Sequence, residues 1–273
     1  MNTRNELINE ICTEKNITVD YLSADYILRL AKDGQSRHIF GPYWDLNSAA
    51  ADRLACDKAG CYTMLHHSGI PAIEHKIMYN PLRWGYLLDS TGTMANALTY
   101  FETHNKAVVA KPNKGAQGRD VFLCNTPLQL ETAMQTIFST EPDIALCPYH
   151  EIYTEYRVFY LGGQARYIYG KAKGEDWRHN LSQGAKAFEV NDGNLRARLS
   201  DLAVLAARCI NINFATVDIV ALEKGELAVL EINSGVQAQY LLEQLPHRWG
   251  TIKAIYTDAI SSMFSDVYAV QKQ

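Results

Sequence analysis

The sequence predicts an α+β fold built from antiparallel hairpins and amphipathic helices. Three hairpin signals and two helical stripes carry that expectation. Gly162-Gly163 is a two-residue turn between the tyrosine-, phenylalanine- and valine-rich arms of residues 154–171. Residues 214–222 and 227–233 are apolar runs joined by Glu223-Lys-Gly-Glu226, and residues 107–110 and 121–123 flank a loop containing Asn113, Gly115 and Gly118. Leu195, Leu199, Leu202, Ala206, Cys209 and Ile210 form one stripe of a helix over 194–211, and residues 128–138 repeat the pattern. At 273 residues the chain can bury a sizeable core in one or two domains.

Taken in order, Leu7, Ile8 and Ile11 stand at helical spacing, and residues 17–22 and 37–40 suit short strands on either side of a mixed apolar stretch at 26–31, giving a short α/β region over 1–75. Asn47 or Ser48 caps one continuous helix running to about Ser68, which Gly69 and Pro71 end. On that spacing Lys58 lies mid-helix as a solvated lysine. Asn80-Pro81, Gly85 and Gly92 loosen the pattern, so a small lobe is expected over 76–149 and a larger one over 150–273. Thr93 to His104 reads as a helix. Residues 144–149 read as a strand leaving the small lobe, with backbone groups free to meet an adenine edge. Residues 174–189 read as a single polar loop of the kind kept for function, with Arg178, Asn180 and Lys186 as its candidates.

Composition excludes several partners. With 47% hydrophobic and 21% charged residues, a net charge of -4 and no long basic block, the chain lacks the electrostatic footprint for nucleic acid or an anionic membrane. Cys12, Cys56, Cys61, Cys124, Cys147 and Cys209 form no Cys-x-x-Cys pair and sit among apolar residues as reduced core thiols do, which points to the cytoplasm. No apolar run approaches the length of a membrane span. Homo-oligomerisation is left open.

Two patterns point to chemistry. In the loop after residue 110, Lys111 and Lys114 flank amides that can form a concave anion site, suited to a nucleotide polyphosphate. It is not a Walker loop, because strand-like residues rather than a helix follow. In the last hairpin, a two-residue Lys224-Gly225 turn sets Asp218 opposite Glu231 and Thr216 opposite Asn233, leaving Ala215, Val217, Ile219, Ala221, Ala228, Leu230 and Ile232 on a wholly apolar side. Facing carboxylates repel unless a positive charge lies between them. Magnesium, with one or two carboxylates and nucleotide phosphates, fits that donor set, and a neutralising lysine or arginine is the alternative. If repulsion dominates, neutralising Asp218 or Glu231 leaves the fold intact or slightly stabilised. Glu155 and Arg157 share a strand face that Arg166 can also reach, which an ordinary ion pair would explain.

These pieces, in order, resemble the ATP-grasp carboxylate-amine ligases, in the branch of bacterial glutathione synthetase, cyanophycin synthetase and the ligase that adds glutamate to a ribosomal protein. The resemblance runs over roughly residues 45–240, through Asp45-Leu-Asn-Ser48, Asp57-Lys58, Ser68-Gly-Ile-Pro71, Lys111-Pro with Gly115 and Gly118, Glu155-Tyr-Arg157, Arg178-His-Asn-Leu181, Asp218-Ile219 and Glu231-Ile-Asn233. It implies the ATP-grasp fold, two α+β lobes gripping a nucleotide. It also implies that Lys58 and Lys111 touch ATP phosphates, that the loop carrying Lys114, Gly115, Gln117 and Gly118 closes over them, that Cys147 and Tyr149 meet the adenine and Glu155 the ribose. Asp218, Glu231 and Asn233 would bind magnesium, two ions replaceable by manganese, and Arg178, Arg157 and Asn180 would act in catalysis. The implied reaction joins a small-molecule acid to an amine, amino acid or peptide, through an acylphosphate. A kinase on the same fold and an inactive nucleotide-binding module are the alternatives. Three positions depart from the family's pattern: Asp120 replaces a loop glycine, Cys61 a threonine and Ala185 a second glycine.

Overall fold

The computed structural model describes residues 3–89, 92–115, 118–174, 177 and 179–265. The first helix, α1 (Thr3–Glu14), turns Leu7, Ile8 and Ile11 inward and is followed by an antiparallel meander of β1 (Thr18–Leu22), β2 (Ile27–Lys32), β3 (Gln35–Phe40) and β4 (Tyr43–Trp44). This N-terminal unit has no separate core. Leu28, Leu30, Ile39 and Trp44 pack in one cluster with Phe159, Leu161 and Phe214 of the large sheet and with Ile252, Ile255 and Tyr256 of the last helix.

Ser48 is the N-cap, its hydroxyl accepting the Ala51 N–H, but the expected continuous helix is two: α2 (Ala49–Cys56) and α3 (Lys58–His67). Asp57 leaves helical geometry at φ -100 and ψ 101 and caps α3 by accepting the Gly60 N–H at 2.9 Å. The break moves Lys58 from mid-helix to the first turn of α3. Asn47 becomes a staple instead of a cap. Its Oδ1 accepts the N–H groups of Asn213 and Phe214, both at 2.9 Å, and its Nδ2 donates to the Phe214 carbonyl and to Asp52.

The small sheet has strand order β5-β8-β6-β7, from β5 (Lys76–Tyr79), β6 (Val108–Pro112), β7 (Phe122–Cys124) and β8 (Asp143–Pro148). After the single turn α4 (Pro81–Trp84), helices α5 (Thr93–Thr103) and α6 (Pro127–Phe138) cover one face through Phe101, Leu130 and Ile137. The large sheet has order β11-β10-β9-β12-β13, from β9 (Thr154–Leu161), β10 (Gln164–Ala172), β11 (Lys186–Glu189), β12 (Phe214–Ala221) and β13 (Leu227–Asn233). Helix α7 (Gly193–Cys209), with α2 and α3, covers the face of Val158, Val217 and Ile219. The opposite face is divided. Phe159, Leu161 and Phe214 pack under the N-terminal unit and α9 (Trp249–Met263), while Glu155, Arg157 and Asp218 open on a cleft beside α8 (Gln239–Gln244).

Two β-bulges decide what reaches that cleft. In the β9–β10 hairpin the register slips between Ala165 and Tyr167, so that Glu155 faces Lys171 rather than Gly170. Arg166 turns away and pairs with Asp258. In the β12–β13 hairpin the turn is a 3-10 turn over Glu223–Gly225, pairing Ala221 with Leu227, and a slip after Asp218 restores the expected Asp218–Glu231 and Thr216–Asn233 pairs. The apolar side is therefore not as counted. Ala228 and Leu230 pack on the cleft side with Val220, and Val229 takes the inner place beside Ile219.

The polar stretch expected to be one loop over 174–189 also ends early. Leu181–Gln183 is a 3-10 turn, and Lys186 lies in edge strand β11, facing Ala172. No helix among the described residues is long and apolar enough to cross a membrane, and all six cysteines are free thiols.

Candidate functional site

A cavity of about 350 Å³ lies where the cleft face of the large sheet meets β6, β8 and the start of α3. At one end it gathers lysines. The Lys58 ammonium lies 2.6 Å from the Gly115 carbonyl and 3.8 Å from Glu231. Its backbone N–H donates to the Asn113 carbonyl, and the fully buried Asn113 accepts the Ala59 N–H on Oδ1 at 3.0 Å, so the loop is docked on the first turn of α3. Burial pushes the Lys58 ammonium below the ordinary lysine value; Glu231 opposes this and the nearby Lys111 adds to it. Lys111 is buried in β6 opposite Ala145, and its ammonium makes no hydrogen bond or ion pair among the described residues. Lys114 is held by Asp57 and Asp143, each at 3.7 Å, instead of being free for a ligand.

Gly118 has φ +71, and a Cβ there would lie 3.0 Å from Asn180 Oδ1, so both conformation and close approach require glycine. Asp120, which stands where a glycine is usual, keeps the left-handed geometry at φ +53, a conformation aspartate tolerates better than most residues. Gln117 and Arg178 lie outside the described residues.

The other end of the cavity is apolar. Ile73, Val109, Cys147, Val220 and Ala228 cluster there, with Trp177 and Leu230 packed against them. The Tyr149 ring meets Trp177 edge-on with centroids 6.2 Å apart. The backbone N–H of Tyr149, expected to be free for an adenine edge, donates to the Ala107 carbonyl at 2.9 Å because sheet pairing runs one residue past β8. The thiol of Cys147 points to the Val109 carbonyl, making this residue part of the wall.

Between the two ends sits a buried charge cluster. Arg157 forks onto Asp218, Nε to Oδ1 at 2.7 Å and Nη2 to Oδ2 at 2.6 Å. Lys171, 3% exposed, donates to Asp218 Oδ1 at 3.2 Å and to Glu155 Oε1. Burial alone would raise the Asp218 pKa; Arg157 and Lys171 outweigh it and hold the carboxyl at about 2. Arg157 thus has a different task from the oxyanion donor expected of it, because two of its guanidinium nitrogens are committed to Asp218. Repulsion between facing carboxylates is also not the dominant force at Asp218, where two cations flank it.

Asn233 Nδ2 donates to both Asp218 Oδ2 and Glu231 Oε1 at 3.2 Å, so its amide stands between the two carboxylates. No group of three or more His, Cys, Asp or Glu among the described residues is arranged to hold a metal. The donor set is two carboxylates and one amide, and it fits an oxygen-seeking cation by one rotation. Turning the Asn233 amide by half a turn frees one lone pair on each carboxylate and presents Oδ1 between them. Magnesium bound by few protein oxygens and completed by phosphates suits such a set.

Sequence reasoning missed Lys171, Asn113, Trp177 and His179. Lys171 follows from counting across the Gly162-Gly163 turn only once the bulge is known. His179 is 3% exposed, its Nδ1 lies 2.9 Å from the Lys171 carbonyl, and it lines the cavity with Asn180.

Residues 55–245 match the family model of the RimK-like ATP-grasp domain. A probable alpha-L-glutamate ligase of Haemophilus ducreyi is 27% identical over 192 residues, covering 69% of this chain and 57% of that protein. A probable alpha-L-glutamate ligase of Parasynechococcus marenigrum is 32% identical over 130 residues, 46% of this chain and 27% of that protein. The chain therefore spans less than two thirds of either relative. Among solved structures, a D-alanine–D-alanine ligase from Bacillus anthracis complexed with ATP superposes with a TM-score of 0.60 at 14% identity, over 80% of this chain and 70% of that one. The D-cycloserine synthetase DcsG gives 0.56 at 17%, over 77% and 71%. At these identities the likeness is one of fold.

Proposed function

Since the chain belongs to the RimK-like ATP-grasp family, we propose that it is an ATP- and magnesium-dependent ligase joining a carboxylate to an amine, with release of ADP and phosphate. The observation that supports this most is the meeting of Lys58 and the buried Lys111 with Asp218, Glu231 and Asn233 in one cavity. Lys58 and Lys111 take the polyphosphate as point charges, and Glu155, with Oε2 left over by Lys171, takes a ribose hydroxyl. Magnesium held by Asp218, Glu231 and Asn233, as two ions or as manganese in their place, supplies charge neutralisation at the transferring phosphoryl group.

A carboxylate oxygen of the acid attacks the γ-phosphorus, the bond from phosphorus to the β–γ bridging oxygen breaks, and ADP leaves. The lone pair of the amine then adds to the acyl carbon, the bond from that carbon to the phosphate oxygen breaks, and phosphate and a proton depart. Arg178 and Asn180 are the candidates for steadying the tetrahedral oxyanion, a contribution worth about 3 to 4 kcal/mol in other enzymes. The phosphate loop seated on Asn180 keeps water from the acylphosphate. The names of the relatives support an amino acid on one side of the new bond.

The test supplies ATP, magnesium and pools of amino acids and dipeptides, and follows ADP, free phosphate and condensed products by mass spectrometry. ADP and phosphate formed only when acid and amine are both present, with a product lighter by one water, is the expected result. ADP with a phosphorylated acceptor and no amide overturns the reading in favour of a kinase. No turnover with any pair leaves the nucleotide-binding module.

A further inference from the structure

His179 carries a nitrogen whose chemistry the cleft leaves unmatched. Its Nδ1 lies 2.9 Å from the Lys171 carbonyl oxygen, and because a carbonyl can only accept, Nδ1 bears the hydrogen. In the neutral ring Nε2 is then a bare lone pair. That atom is buried and has no hydrogen-bond partner among the described residues, in a residue that lines the cavity. A buried acceptor left unpaired costs free energy comparable to a lost hydrogen bond, so a donor from a bound ligand is the natural complement.

The neighbours of His179 indicate which donor. Two residues earlier, Trp177 packs into the apolar end with Cys147, Val220 and Leu230 and meets the Tyr149 ring. One residue later, Asn180 sits against Gly118 of the phosphate loop. Residues 177 and 180 can be at most about 10 Å apart along the chain, so His179 lies between the base-sized apolar end and the phosphate end. The carbonyl that fixes its tautomer belongs to Lys171, whose ammonium holds Glu155. Phosphates offer no donor at neutral pH, whereas the sugar between base and phosphates offers two hydroxyls. Resting on the nucleotide-binding part of the function proposed above, we infer that His179 Nε2 accepts a hydrogen bond from a ribose hydroxyl of the bound nucleotide. His179 thereby shares recognition of the sugar with a Glu155 already committed in part to Lys171.

The experiment measures calorimetric Kd values for ATP, 2′-deoxy-ATP and 3′-deoxy-ATP on the wild-type chain, His179→Phe, which keeps a ring without an acceptor, and His179→Gln, which restores one. Wild type should prefer ATP over one of the deoxy nucleotides by up to about ten-fold, the range of a single hydrogen bond. His179→Phe should bring that ratio near one by weakening ATP alone, and His179→Gln should recover part of it. Equal wild-type affinity for all three nucleotides overturns the inference while nucleotide binding stands. So does an unchanged ratio in His179→Phe, or an unchanged ATP Kd accompanied by a raised KM for the amine. Absence of ATP binding by the wild type removes the function proposed above as well.

Discussion

Replacing Asp218 by asparagine separates two accounts of the charge cluster. If the carboxylates at 218 and 231 mainly repelled each other, Asp218→Asn would leave the metal-free protein as stable or more so. The geometry predicts the opposite. Asp218 is 1% exposed on its side chain, Lys171 is 3% exposed, and Arg157 is 26% exposed. Removing one partner of a buried ion pair costs about 3 to 5 kcal/mol, because the remaining charge stays buried without its match. Arg157 can regain some water and Lys171 keeps Glu155, so the low end, about 3 kcal/mol, applies. For a chain of this size that corresponds to a fall in Tm of roughly 6 to 12 °C. The comparison is Glu231→Gln, where the side chain is 24% exposed and Lys58 stands 3.8 Å away. Its cost should stay below about 1 kcal/mol. Thermal unfolding without nucleotide or magnesium reads both. The pH dependence has a definite sign. A carboxyl held at about 2 stabilises the fold above its unfolded value, and that contribution disappears as pH falls through the acid range toward 2. Asp218→Asn should lack this limb. A variant as stable as wild type would refute the role given to Arg157 and Lys171.

Three further outcomes follow from the lysine end and its loop. Because burial and Lys111 hold Lys58 below its ordinary 10.5, part of the Lys58 population is neutral on the alkaline side, and polyphosphate binding there must take up a proton. Calorimetry in buffers of different ionisation enthalpy should detect that uptake in wild type and lose it in Lys58→Arg; none in wild type counts against the assignment. Gly118→Ala should cost about 1 kcal/mol or more through its positive φ and should weaken ATP binding by displacing Asn180. Asp120→Gly, at φ +53, should be neutral or slightly stabilising with nucleotide affinity retained, and a marked loss there would show that the aspartate side chain itself is required.

Element order was largely readable because helices and hairpins advertise themselves through spacing and turn residues. The site was less so, and β-bulges are the main reason. A strand pattern read at period two places every later side chain by counting, and one extra residue reverses the count. The slip near Arg166 brings Lys171 onto the cleft face and sends Arg166 to Asp258. The slip after Asp218 turns Ala228 and Leu230 toward the cleft, yet leaves the Asp218–Glu231 pair where a simple turn would have put it. There the right pairing was reached by two errors of one residue that cancel. Asp57 hid its break because an aspartate inside a helical run looks like any exposed polar residue, and only its partner Gly60 makes it a cap. Asn113 looked like a turn residue, since its second role as a brace for α3 depends on a segment 54 positions away.

The packing of the first helix and meander against the last helix has a consequence for how the chain matures during synthesis. Arg37 hydrogen-bonds the Met263 carbonyl, 226 positions on, and Lys253 pairs with Glu10 and Glu14. The apolar half of the cleft face, with Phe159, Leu161 and Phe214, is covered only when both segments are present. At ribosomal rates of about 5 to 20 residues per second, the meander waits on the order of 10 to 45 seconds for its C-terminal partner to emerge. During that interval the meander's apolar side and, later, the large sheet stand open to wrong partners. A nascent-chain arrest series probed by proteolysis should therefore show protection of the N-terminal unit appearing late, together with the last helix, although its own strands are made before those of the other two sheets.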